Sequence, residues 1–104
     1  MTQDVNAKSN NGETLLMNAA ENGYLDIAKL LIERGAYVNV KDNNGRTPLK
    51  WATSGGHLDI VKLLIENRAD ENAEDKGGRT PLSTAAYNNH LDIVKLLIEK
   101  GAIK

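Results

Sequence analysis

The chain has 104 residues, 40% hydrophobic and 26% charged, a globular composition with room for one domain. Its 13 basic and 14 acidic residues nearly cancel, so no net field recruits nucleic acid or an anionic membrane. Cysteine is absent, which excludes disulfides, thiolate metal sites and a Cys nucleophile. No apolar run is long enough to span a bilayer, and the start MTQDVNAK lacks a secretory apolar region. A cytoplasmic location is therefore expected. With aromatics at only 4%, the core has to be aliphatic.

A shift of 33 residues lays the chain on itself. The segmentation this gives is one domain over 1–104. It comprises a partial leading loop at 1–10 and repeats at 11–43, 44–76 and 77–104.

In the first repeat, Thr14 stands at an N-cap position before a short helix through Leu16 to Ala20. Gly23 closes that helix, and a second one runs from Leu25, with Asp26 in its first turn, to just before Gly35. The linker Val38–Gly45 is polar and ends in Asn-Gly, a β-turn or hairpin signal.

The second repeat restarts at Thr47-Pro48, a cap followed by proline at the first helical position. Its helices run through Leu49 to Thr53 and from Leu58 to just before Arg68. Arg68 occupies the place of Gly35 and Gly101, where a left-handed backbone costs a non-glycine residue ~1 kcal/mol. After Glu71–Gly78, Thr80-Pro81 opens the third repeat, with helices through Leu82 to Ala86 and from Leu91. Asn89 takes the place of Gly23 and Gly56. The second helices read LDIAKLLIE once and LDIVKLLIE twice, apolar on most sides, as stacking on two neighbours requires.

The stretches Thr47-Pro48-Leu49 and His57-Leu58-Asp59-Ile60-Val61-Lys62-Leu63-Leu64, with their copies, resemble the ankyrin repeats. Gly35-Ala36 and Gly101-Ala102 extend the match. The resemblance covers essentially the whole chain. It implies an all-α solenoid of three helix-turn-helix repeats with β-turn or hairpin fingers. The histidine of the family's T-P-L-H signature is missing, replaced by Met17, Lys50 and Ser83. The family's His–Thr bond is therefore expected to be lost. Neither end looks capped, and Ile93 in the last repeat is expected to face an open end.

Catalytic and cofactor sites find no support. His57 and His90 sit at equivalent repeat positions, too far apart by helix packing to share a metal ion. They read as residues bonding to nearby backbone. Asp26, Asp59 and Asp92, with Lys29, Lys62 and Lys95 three residues on, form solvated helix faces rather than an acid–base pair. Lys76-Gly77-Gly78-Arg79-Thr80 lacks the phosphate-loop order and reads as a turn.

Recognition then falls to the positions where the repeats disagree, since shared positions build the stack. On the fingers these include Asn11, Glu13, Asn43, Asn44, Arg46, Lys76 and Arg79. On the first helices and their ends they include Glu21, Lys50, Trp51, Ser54, Tyr87 and Asn88. The resemblance implies that these regions line a concave groove that holds proteins. Trp51, Tyr87, Arg46 and Arg79 are hot-spot residue types and lead the set. A second reading of Trp51 stands beside this one: partial packing against a neighbouring repeat.

The expected function is non-enzymatic protein–protein recognition, without cofactor or metal. An engineered or redesigned scaffold that self-associates, through the ends or the groove, or binds a chosen target is the alternative.

Overall fold

The computed structural model describes residues 4–102. Residues 1–3 and 103–104, the outer ends of the expected leading loop and last repeat, lie outside the described residues. The chain forms α1 (Leu15–Asn22), α2 (Leu25–Glu33), α3 (Pro48–Gly55), α4 (Leu58–Glu66), α5 (Pro81–Tyr87) and α6 (Leu91–Glu99). No strand occurs among the described residues.

Three threonines start the odd-numbered helices. Thr14, Thr47 and Thr80 hold extended backbones, and their hydroxyls accept the N–H of Met17, Lys50 and Ser83. Each such cap is worth about 1 kcal/mol. In the third repeat Ser83 supplies what the missing histidine does not. Its hydroxyl oxygen accepts the Thr80 N–H at 2.9 Å and closes a reciprocal capping box.

Left-handed residues end the turns. Gly23 and Gly56 cap α1 and α3 at φ 77° and 75°. They also make room: a Cβ on Gly23 would meet the His57 ring at 2.6 Å, and one on Gly56 the His90 ring at 2.8 Å. Each histidine thus seats against the glycine of the preceding repeat. Arg68 and Asn89 adopt φ 71° and 61°, the left-handed backbone their sequence positions implied.

The odd-numbered helices form one layer, with α1 on α3 and α3 on α5, and the even-numbered helices form the other. The result is an elongated stack of 43 × 26 × 20 Å. Between the layers runs an aliphatic core of Leu16, Leu49, Ile60, Val61, Leu64, Ile93 and Leu97 with small alanines.

The ends depart from expectation in one respect. Ile93 is not open to solvent but fully buried, because its side of α6 faces the second repeat. Its first-repeat equivalent, Ile27, is 50% exposed, since among the described residues no helix packs on that side of α2. Leu15 and Leu30 are exposed with it.

Asparagines lock the loops. Asn6 Oδ1 accepts the Tyr37 N–H, and Asn39 Oδ1 accepts the Asp70 N–H, both at 2.8 Å. Their side-chain amides donate to Gly35 O and Arg68 O, tying each loop to the next repeat.

Candidate functional site

The fingers are β-turns rather than paired hairpins. In the second finger Gly45 N–H donates to Asp42 O, and Asp42 N–H donates to Arg46 O. The third repeats this with Gly78, Asp75 and Arg79. Successive fingers are then joined edge to edge: Asn43 N–H donates to Asn11 O and Lys76 N–H to Asn44 O, both at 3.0 Å. Asn43 also spends its side-chain amide on Asn10 O.

A buried carboxylate organises each of the last two fingers. Asp42 accepts the Asn44 and Arg46 N–H groups and the Arg46 Nε. Burial pushes its pKa up, but these hydrogen bonds and the Arg46 charge outweigh it, and the net shift is downward. Asp75 accepts the Gly77 and Arg79 N–H groups and Arg79 Nε, and adds the Lys50 Nζ at 2.6 Å. Burial again opposes ionisation, yet Lys50 and the N–H donors of Arg79 and Gly77 hold this carboxyl well below the usual range. Ser9 takes the equivalent place in the first finger, accepting the Asn11 and Glu13 N–H groups.

Neither Asp42 nor Asp75 was singled out from the sequence. A signal was present: Asp stands at both equivalent positions, three residues before a turn glycine, where an Asp side chain holds the turn.

Lys50 is a correction. Placed by the sequence on the exposed side of the first helix, it is buried at 8% exposure with its ammonium turned onto Asp75. The position that carries histidine in the family signature serves here as the cationic tie to the next finger.

These ties build the walls of a cleft of about 560 Å³ between the second and third repeats. Arg46, Lys50, Trp51, Ser54, Arg79, Tyr87 and Asn88 line it, together with Ser83 and Thr84, which were outside the leading set. The Arg46 guanidinium lies over the Trp51 ring, 4.3 Å from its centroid. Such stacking contributes about 0.5–1 kcal/mol and fixes the guanidinium in place. Trp51 is half-buried against the core, so the packing reading holds for one part of the ring, while another part faces the cleft. Tyr87 is 90% exposed on the far wall. The Trp51 Nε1 and Thr84 Oγ1 atoms are buried without a hydrogen-bond partner among the described residues.

The remaining sequence-selected residues lie elsewhere. Asn11, Asn43, Asn44 and Lys76 are exposed on the fingers. Glu13 borders a separate groove at the first repeat, with its carboxylate 3.9 Å from Arg46. The Glu21 carbonyl faces His57 Nε2 at 2.9 Å, so this histidine bonds to backbone across the repeat boundary. Among the described residues, no three His, Asp or Glu side chains gather as a metal site, and no helix is long and apolar enough to cross a membrane.

A family model described as ankyrin repeats, three copies, matches residues 1–75 and again 39–104. The chain belongs to the ankyrin-repeat family. Ankyrin repeats are generally protein–protein interaction modules. A comparison with curated proteins finds no match. The three ankyrin repeats account for the helix layers and the finger row, and the cleft lies on the side where fingers meet first helices.

Proposed function

We propose that this ankyrin-repeat chain is a non-enzymatic recognition module of the cytoplasm that holds a protein partner in the cleft between its second and third repeats. The observation that carries this is the convergence of Arg46, Trp51, Arg79 and Tyr87 on one cleft. These residue types dominate binding energy at protein interfaces. Fingers joined to one another and helices fixed by caps leave little to order on association, so the surface binds as a rigid body. Asn11, Asn43, Asn44 and Lys76 add polar contacts along the finger row, with Glu13 at its first-repeat end and Glu21 in the last turn of α1.

The test uses the chain as bait and compares capture by wild type, Trp51→Ala and Arg46→Ala. Both substitutions are expected to weaken capture by about tenfold or more, with helical circular dichroism retained. A captured partner held equally well by both variants would sink the cleft assignment.

Self-association is the second reading, favoured by the exposed Leu15, Ile27 and Leu30 at the first-repeat end. Light scattering over a concentration series separates it from partner binding. A mass that rises with concentration in wild type and stays monomeric in Ile27→Lys supports it.

A further inference from the structure

The cleft has a chemical bias that its general role does not require. Its charged lining residues are Arg46, Lys50 and Arg79, all cations, and no carboxylate belongs to the lining. The two acids that organise it are turned behind it. Asp42 is 6% exposed and Asp75 7%; Asp42 accepts hydrogen bonds from its own finger, and Asp75 from its own finger and from Lys50. They hold Arg46 and Arg79 through the Nε edge, at 2.8 and 3.1 Å. A guanidinium anchored by Nε keeps its terminal N–H groups as donors, in the fork geometry that suits a carboxylate. Arg79 is 68% exposed along its side chain, and Arg46 is clamped on Trp51. Two guanidinium groups held by these ion pairs thus share the cleft with two aromatic side chains, Trp51 and Tyr87.

We infer that this cleft selects an acidic peptide segment, with Asp or Glu carboxylates on Arg46 and Arg79 and an apolar side chain between Trp51 and Tyr87. The inference rests on the cleft being the recognition site. Lys50, with its charge committed to Asp75, positions the third finger and does not touch the ligand. Glu13, whose carboxylate lies 3.9 Å from Arg46, competes with the ligand for that guanidinium.

Trp51 is the single tryptophan, so its emission reports the cleft. The probes are three peptides blocked at both ends: Glu-Glu-Leu-Glu-Glu, its glutamine counterpart and its lysine counterpart. The acidic peptide is expected to shift Trp51 emission and to bind about tenfold or more tighter than the glutamine peptide, less so at high salt. Arg79→Gln is expected to remove that preference, Arg79→Lys to keep part of it, and Glu13→Gln to strengthen acidic binding. Equal binding of the acidic and glutamine peptides overturns the acidic selectivity while leaving cleft recognition standing. A preference for the lysine peptide, or no emission change with any peptide at millimolar concentration, overturns it as well. Failure of the cleft itself shows separately, as partner capture insensitive to Trp51→Ala and Arg46→Ala.

Discussion

The Lys50 ammonium lies 2.6 Å from Asp75 Oδ2, joining the first helix of one repeat to the finger of the next. Asp75 is nearly inaccessible and Lys50 only slightly less so. Removing one member of a buried charge pair strands the other, which costs about 3–5 kcal/mol. Asp75→Ala strips Lys50 and also unbinds Arg79 and two finger N–H groups, so it is expected near the top of that range. Lys50→Met leaves Asp75 with its Arg79 and backbone donors and is expected to cost only about 1–2 kcal/mol. Urea unfolding of the two variants checks the order.

The same carboxylate sets a pH dependence. Both Asp42 and Asp75 titrate lower in the folded chain than in the unfolded one. As pH falls, the unfolded chain takes up these protons first, at about pH 4, and the folded chain resists them. Their stabilisation is therefore complete at neutral pH and is lost progressively below about pH 5. Urea midpoints are expected to stay flat with respect to these groups between about pH 5 and 7, then decline. Asp75→Asn should decline less steeply.

What the sequence made legible follows from what repeats. Thr14, Thr47 and Thr80 bond within three residues, so their spacing alone identified three helix starts. Gly23, Gly56 and Asn89 mark turns for the same local reason. Lys50 and Asp75 are 25 residues apart, and nothing local tells a lysine that its partner is a finger carboxylate. Ile27 and Ile93 share a register, but which one is covered depends on the side from which the neighbour arrives. Arg46, Trp51, Arg79 and Tyr87 were separable as positions where the repeats differ. Their meeting in one cleft between the second and third repeats is long-range packing, which the resemblance implied but no local pattern encodes.

Arg68 holds φ 71°, where its equivalents Gly35 and Gly101 hold 94° and 97°. The equivalent positions leave room for a side chain: a Cβ built on Gly35 finds open space, and one on Gly101 meets only a Glu71 carboxylate oxygen at an ordinary 3.6 Å. The cost of Arg68 is therefore backbone strain alone, about 1–2 kcal/mol, partly offset by the greater freedom of glycine when unfolded. Arg68→Gly is expected to raise stability by about 0.5–1 kcal/mol, read as a higher urea midpoint at unchanged slope. A lower midpoint would show that the arginine side chain contributes more than its backbone costs.

Ile27 and Ile93 offer one chemical change in two settings. Ile93 is fully buried in the aliphatic core against the second repeat, so Ile93→Lys places an ammonium among apolar side chains. Burying an unpaired charge is among the few changes that exceed about 4 kcal/mol. The third repeat is expected to unfold, with loss of helical circular dichroism. Ile27 is half-exposed at the same register, where a lysine stem lies along the surface and its head stays in water. Ile27→Lys is expected to shift stability by less than about 1 kcal/mol. The contrast measures how much one repeat gains from the repeat before it. Equal effects of the two substitutions would contradict the one-sided covering of these helices.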